Sequence, residues 1–336
     1  MFIGKRRWKN IKDWIKFLLA IVCVVVFVVF FIFNLWSPVK YSVSIVVPNG
    51  ASVTRITNYL YDNDIIKSKE LFYFFVRMNG GKIQAGEYDV PRGTGMWDIA
   101  KMLVNGRVAT TNITIPEGYT VKQIKNMLMN MPGLTGDVEC DDELPVCDLH
   151  DGDIFPDTYR IVRGTTRLAL LETARKKMES VKQSFDGAKY PEPLQSWNDV
   201  MVLASIVQKE TPRVREMPIV ASVYINRLNM GMRLQADPTV VYALTDGLGD
   251  MRGEPLLSGH LKTESPYNTY TNKGLPPAPI ANVGTDAISA VLKPARTKFL
   301  FFVADGHGGH KFSKDYEEHQ KYHNNWREIK NKRNKN

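Results

Sequence analysis

Two consecutive helical patterns that meet near a proline constrain this 336-residue chain more than any other feature. Ser196 followed by Asp199 is a typical helix-capping pair, and apolar residues then recur at helical spacing up to Val207. Glu210 lies on the same apolar face three residues later, and Pro212 ends the pattern. The sequence therefore predicts a helix whose buried face ends in one carboxylate.

The position of Glu210 indicates an acid with an altered pKa. Burial and the negative end of the helix dipole both disfavour the charged form of a carboxyl group, so the pKa should rise. A general acid that works near neutral pH needs this property. The alternative is a glutamate exposed at a frayed helix end, and position alone does not exclude it. A second helix starting near Pro218 is expected to pack back on the first.

The charge distribution excludes a nucleic-acid-binding body. The net charge is +9, but residues 5–16 and 321–335 each carry +5, which leaves −1 on the rest of the chain. A protein that follows a phosphate backbone needs a basic surface on its folded body. We therefore expect no nucleic-acid partner.

An uncharged apolar run separates Lys16 from Lys40. About 20 apolar residues match the thickness of a bilayer core, which predicts a transmembrane helix at 17–36. A cleaved signal peptide is disfavoured because its apolar core is shorter and ends at a small-residue cleavage site. The basic segment 1–16 precedes the run, so we expect a single-pass inner-membrane protein with a cytoplasmic N-terminus and an extracytoplasmic body.

Two cysteines in the exported part flank a short acidic loop. Cys140 and Cys147 lie in a compartment where a disulfide is permitted, so we favour a bond between them over two free thiols. Cys23 falls in the apolar run, where it is expected to be a small apolar side chain.

Residues 41–107 predict a small βααβ module. The strands fall at 41–47 and 83–90, one helix follows Ser52, another follows Ser68, and Thr94 is expected to start a short helix. The module resembles a LysM domain, which implies glycan binding; a simple spacer is the alternative. Residues 45–60 and 113–128 repeat one strand, turn and helix pattern. This repeat indicates that a second domain begins at about 108, and we expect it to extend to 323. A basic polar tail is expected at 324–336, and the predicted fold class is α+β.

Four separated motifs in the second domain carry a family resemblance. They are ASIVQKET, INRLNMGMRLQADPTVVYAL, SPYNTYTNKGLPPAPIAN and FVADGHGGHKFSKDYEEH. Together they resemble the endolytic murein transglycosylase (YceG-like) family. The resemblance implies a lyase that needs no cofactor and cuts nascent peptidoglycan strands between MurNAc and GlcNAc, leaving 1,6-anhydro-MurNAc ends. It also implies Glu210 as the catalytic residue and peptidoglycan synthases as partners.

Motif matches indicate the residues of a sugar-binding groove. Gln235 and Asp237 are expected in a loop before Pro238. Asn226 is expected on a helix, where it could equally have a structural role instead of binding substrate. Gln208 stands where the family commonly has an acid, and no second catalytic carboxylate is evident. The predicted substrate-binding residues are Gln235, Asp237, Tyr267, Asn268, Tyr270 and Asn226.

Two alternatives remain open at this point. His307, His310, His319 and His323 have a spacing compatible with zinc, but the glycines around His307 favour a hairpin turn and no metal. A non-catalytic, membrane-anchored protein that binds peptidoglycan as a scaffold would need no acid at Glu210.

Overall fold

The computed structural model describes residues 4–35, 39–48, 50–106, 110–140, 145–249, 251 and 253–333. The chain divides into two compact units. The first comprises Met1–Thr111 with Val162–Gly164, and the second comprises Asn112–Ile161 with Thr165–Asn336. Small two-stranded sheets and helices occur in both, so the α+β fold class is confirmed.

The first unit contains a βααβ arrangement followed by a further helix. Strands β1 and β2 pair antiparallel with Ile45 opposite Tyr88, and both side chains are fully buried among the helices. Tyr88 satisfies its hydroxyl by donating to the carbonyl of Gln84 at 2.6 Å. The elements are α1 (Gly4–Leu35), β1 (Val43–Val47), α2 (Val53–Asp62), α3 (Lys69–Met78), β2 (Gly86–Val90) and α4 (Met96–Asn105).

Helix α1 covers most of the apolar run near the N-terminus. Its large apolar side chains from Trp14 to Val29 are exposed. Within the described residues, no helix has the combined length and apolar character that a membrane crossing requires. The transmembrane helix predicted at 17–36 therefore has no support from the structure, and its last residue, Trp36, lies outside the described residues.

The second unit is larger and mostly helical. Strand β3 pairs with β4, and β5 forms an antiparallel hairpin with β6. A short 3-10 turn occupies His260–Lys262. The elements are β3 (Thr110–Thr114), α5 (Val121–Met129), β4 (Thr158–Val162), α6 (Arg167–Ser184), α7 (Trp197–Glu210), α8 (Met217–Asn229), α9 (Asp237–Leu244), α10 (Thr285–Leu292), β5 (Phe301–Ala304), β6 (His310–Ser313) and α11 (Tyr316–Arg333).

Local capping chemistry explains where several helices begin. The hydroxyls of Ser52, Ser68 and Ser196 each accept a hydrogen bond from a backbone N–H three residues later, so helices follow these three residues as predicted. Thr94 was expected to start α4, but Gly95 is the residue at the N-cap, and the Thr94 hydroxyl donates to the carbonyl of Pro91.

The core of the second unit lies where α7, α8 and α10 meet. Every residue of α7 from Val200 to Val207 is buried, rather than one stripe, because α8 and α10 both pack against this helix. Such a helix places its C-terminal end inside the unit instead of at a frayed edge.

Two predicted loop features, a disulfide and a hairpin turn, are present in the structure. Cys140 and Cys147 form a disulfide with their Cα atoms 5.6 Å apart, so the favoured bond is confirmed. The turn between β5 and β6 is also as predicted, because Asp305 accepts hydrogen bonds from the backbone N–H groups of His307 and Gly309. In the described part of the chain, no three histidine, cysteine or acidic residues come together as a metal site.

Candidate active site

Glu210 is the last residue of α7, and a buried tyrosine holds its carboxyl group. Thr211 has an extended backbone that ends the helix before Pro212. The chain then returns as α8, which brings Tyr224 back to the end of α7. The Tyr224 hydroxyl donates a hydrogen bond to Oε1 of Glu210 at 2.5 Å. The predicted helix end and its carboxylate are therefore where the sequence placed them.

Burial dominates the electrostatics of this carboxyl. It is the largest cause that raises the pKa of Glu210, and the charge of Asp237 also raises it, whereas the Tyr224 hydrogen bond and Arg227 lower it. The net result is a pKa of about 7. Glu210 as a whole residue keeps partial exposure, so its carboxyl is desolvated but reachable. Burial and Glu210 also raise the pKa of Tyr224, which therefore remains a hydroxyl donor. Such an acid can hold or release a proton near neutral pH.

Asp237 and Tyr270 form the next part of the site. The Tyr270 hydroxyl donates to Oδ1 of Asp237 at 2.5 Å, and both residues interact electrostatically with Glu210. Asp237 is the first residue of α9 and not a loop residue as expected, because Pro238 fits the first turn of a helix. Gln235 is in the loop, exposed, with a φ of 50°.

The motifs assigned Asp237 to substrate binding and indicated no second catalytic carboxylate. The structure brings Asp237 into electrostatic range of Glu210 although the two residues are 27 positions apart in the chain. This proximity depends on the packing of α9 against α7.

Three other predicted residues have contacts that organise the surroundings. Fully buried Asn268 donates to the carbonyls of Leu261 and Thr263, which fixes the loop that carries Tyr270. The Asn226 amide donates to the carbonyls of Thr297 and Phe299, which favours the structural alternative for this residue.

Tyr267 is not part of the group around Glu210. Its ring packs on Tyr242, with the ring centroids 4.8 Å apart, and it lines a separate cavity. The structure thus brings together Glu210, Asp237 and Tyr270, while Tyr267 belongs to neighbouring surface.

Sequence reasoning missed Tyr224 as a site residue. A buried tyrosine hydroxyl usually needs a hydrogen-bond partner, which was the available signal. For Arg227, as for Asn226, the sequence allowed either a groove residue or a structural one. It lies behind the site, where its guanidinium donates to the carbonyls of Leu300 and Leu234, which favours the structural alternative.

Gln208, two residues before Glu210, links two loops. Its amide nitrogen donates to Oε2 of Glu117 at 3.1 Å, and its oxygen accepts from the backbone N–H of Gly284 at 3.2 Å. An acid at position 208 would meet the carboxylate of Glu117. The glutamine therefore avoids a repulsive pair near Glu210.

Comparisons with known proteins identify the family of the chain. A family model described as the YceG-like family matches residues 45–325. The chain belongs to the YceG-like family.

Curated relatives of the chain come from two bacteria. An endolytic murein transglycosylase of Bacillus subtilis is 30% identical, and the match covers 88% of this chain and 87% of that protein. A protein of the same name from Streptococcus pneumoniae D39 is 27% identical, and the match covers 79% of this chain and 55% of that protein. The crystal structure of a YceG-like protein from Listeria monocytogenes is 28% identical, with a TM-score of 0.48, and covers 84% of this chain and 99% of that one.

Proposed function

We propose that this protein is an endolytic lytic transglycosylase that cuts peptidoglycan glycan strands between MurNAc and GlcNAc. The observation that carries the proposal is a desolvated Glu210 with a pKa of about 7, held by Tyr224 at the end of α7. Membership of the YceG-like family and the names of the curated relatives support it.

In the first step, neutral Glu210 donates its proton to the glycosidic oxygen. The C1–O bond of MurNAc breaks, and the GlcNAc hydroxyl leaves with that proton. Close to pH 7 a large fraction of Glu210 is protonated, because its pKa is about 7. An ordinary surface glutamate would be almost entirely ionised at this pH.

In the second step, the Glu210 carboxylate takes the proton of the MurNAc C6 hydroxyl, and the C6 oxygen bonds to C1. The 1,6-anhydro ring forms without water, and Glu210 returns to its neutral state. The Tyr224 hydroxyl stabilises the carboxylate between the two steps, because its hydrogen bond favours the charged form of Glu210. One residue thus acts first as acid and then as base.

The surrounding groove is assigned to residues from α9 and its neighbouring loops. Asp237 and Tyr270 contribute a carboxylate and a hydroxyl beside Glu210, and exposed Gln235 contributes an amide. Such groups suit sugar hydroxyls. Tyr267 extends the surface, while Asn268 and Asn226 shape it through their backbone contacts.

Hydrolysis is the second candidate reaction, because Asp237 gives Glu210 a neighbouring carboxylate and hydrolases commonly use two. Digestion of purified peptidoglycan followed by mass analysis of the products distinguishes the two. We expect 1,6-anhydro ends from the wild type and none from Glu210→Gln. Reducing ends would identify a hydrolase, and a folded wild type without products would leave the scaffold alternative.

Within the first unit, residues 41–107 are proposed to form a LysM-like module that binds the glycan on which the catalytic domain, residues 108–323, acts. The βααβ order of the first unit supports this. A pull-down of insoluble peptidoglycan with residues 41–106 would test it, and a module that stays in the supernatant would favour the spacer alternative.

Membrane anchoring through residues 17–36 is a further part of the proposal and rests on the sequence alone. The run between Lys16 and Lys40 has no charge, and basic residues precede it. Anchoring would place the body outside the cytoplasmic membrane, beside peptidoglycan synthases. Full-length protein should resist carbonate extraction and a variant lacking residues 1–40 should be soluble; release of the full chain by carbonate would refute the anchor.

A further inference from the structure

A second concave site lies on the same unit as Glu210, near the C-terminal end of α9. The cavity has a volume of about 610 Å³, and Asp151, Tyr242 and Tyr267 are among its lining residues. Tyr242 follows Asp237 by five residues, about 7–8 Å along the helix. The loop that carries Tyr267 also carries Tyr270, which bonds Asp237. One helix and one loop therefore contribute to both sites.

Asp151 is the most enclosed carboxylate of this cavity. The backbone N–H of Val121 donates to its Oδ1 and the Tyr242 hydroxyl donates to its Oδ2, both at 2.6 Å. Each oxygen keeps capacity for a further hydrogen bond. Burial raises the pKa of Asp151, so its surroundings compensate its charge incompletely.

The basic side chains of the cavity are already engaged. Lys122 pairs with Asp246 at 2.6 Å, and Lys125 lies 3.8 Å from Glu139. Across the described ranges, Asp151 forms no salt bridge, although His150 contributes some longer-range attraction. The lining thus favours an incoming cation over an incoming anion.

Two aromatic rings adjoin the carboxylate. The rings of Tyr242 and Tyr267 lie 4.8 Å apart with 51° between their planes. Aromatic faces attract organic ammonium groups through their quadrupoles. A partly buried carboxylate near these two rings suits an alkylammonium better than a strongly hydrated metal ion, which prefers several oxygen ligands.

We propose that this cavity binds the free side-chain ammonium of the diamino residue in the peptide stem of the strand being cut, an inference that rests on the proposed function. A stem of three extended residues reaches about 10 Å, which exceeds the rise of about 7–8 Å along α9 from Asp237 to Tyr242. Crosslinking converts this amine to an amide and removes its charge. The cavity therefore makes the enzyme select strands that are not yet crosslinked.

The test compares three preparations of one uncrosslinked glycan polymer with the full-length enzyme: native amines, dimethylated amines that keep the charge, and acetylated amines that lose it. We expect kcat/KM to be about tenfold lower for the acetylated polymer only. Asp151→Asn should cut the native polymer as slowly as the acetylated one. Glu317→Gln, which removes a carboxylate of α11 that is paired with Lys321 and does not line the cavity, should preserve the preference.

A second variant is needed because Asp151 also accepts a hydrogen bond from the start of α5, so that Asp151→Asn can disturb folding as well as binding. Tyr267→Leu removes an aromatic face without touching that bond and should weaken the preference. Equal cutting of all three polymers by the wild type, or a preference that survives both Asp151→Asn and Tyr267→Leu, would overturn the inference while leaving the proposed function intact. Failure to cut any polymer would instead refute the proposed function.

Discussion

The hydroxyl of Tyr224 donates a 2.5 Å hydrogen bond to Oε1 of Glu210, although fourteen residues and a helix reversal separate them. The bond stabilises the charged form of a carboxyl whose surroundings otherwise favour the neutral form. Tyr224 therefore limits the rise in the pKa of Glu210 to about 7, where both protonation states are accessible.

Tyr224→Phe should raise the pKa of Glu210, because it removes the hydrogen bond to the charged form. We expect the alkaline limb of the kcat/KM profile to move up by about one pH unit. The measurement is strand cleavage between pH 5 and 9. Tyr322→Phe is a matched control, since Tyr322 bonds Glu318 on α11, and its profile should be unchanged. A limb that stays in place or moves down would contradict the role of Tyr224.

Asp237→Asn should shift the same limb downward. The negative charge of Asp237 raises the pKa of Glu210, so the neutral amide should lower it by a fraction of a pH unit. Asp246→Asn, at the other end of α9, is the control and should leave the limb in place. Opposite shifts in Tyr224→Phe and Asp237→Asn would be difficult to explain by a general loss of structure, whereas shifts in one direction would count against this electrostatic account.

Glu210 should also make stability depend on pH. Its folded pKa of about 7 exceeds the ordinary value of 4.5, so between these pH values the folded state keeps a proton that the unfolded state has lost. The stabilising contribution is complete below pH 4.5 and is lost as the pH rises to 7, and it amounts to about 3 kcal/mol. Thermal unfolding from pH 4.5 to 8 should show Glu210→Gln gaining stability relative to the wild type as pH rises. A constant difference would argue against the raised pKa.

Ser196→Ala should destabilise α7 without changing the chemistry. Ser196 and Asp199 form a reciprocal capping box at the start of this helix. Its loss should cost about 1 kcal/mol in the free energy of unfolding, measured by chemical denaturation. Ser184→Ala, at the end of α6, serves as the control. The pH profile of Ser196→Ala should match that of the wild type, and a shifted profile would mean that the cap also positions Glu210.

The helix ends and turns of this protein follow from local chemistry. Ser196 and Asp199 satisfy backbone donors within four residues, and Thr211-Pro212 removes the next helical hydrogen bond, so the end of α7 at Glu210 could be predicted from the sequence. Asp305 likewise accepts from its own turn, which made the β5–β6 hairpin predictable.

Only the tertiary structure decided which groups surround Glu210. Tyr270 meets Asp237 across 33 residues, and Tyr242 meets Asp151 across 91. These contacts depend on how α7, α8 and α9 pack, and hydrophobic packing is not directional enough to be read from residue spacing. The sequence by itself determined that one carboxyl would end a buried helix. Packing determined how far its pKa rises, because desolvation and neighbouring charges exist only in the folded protein.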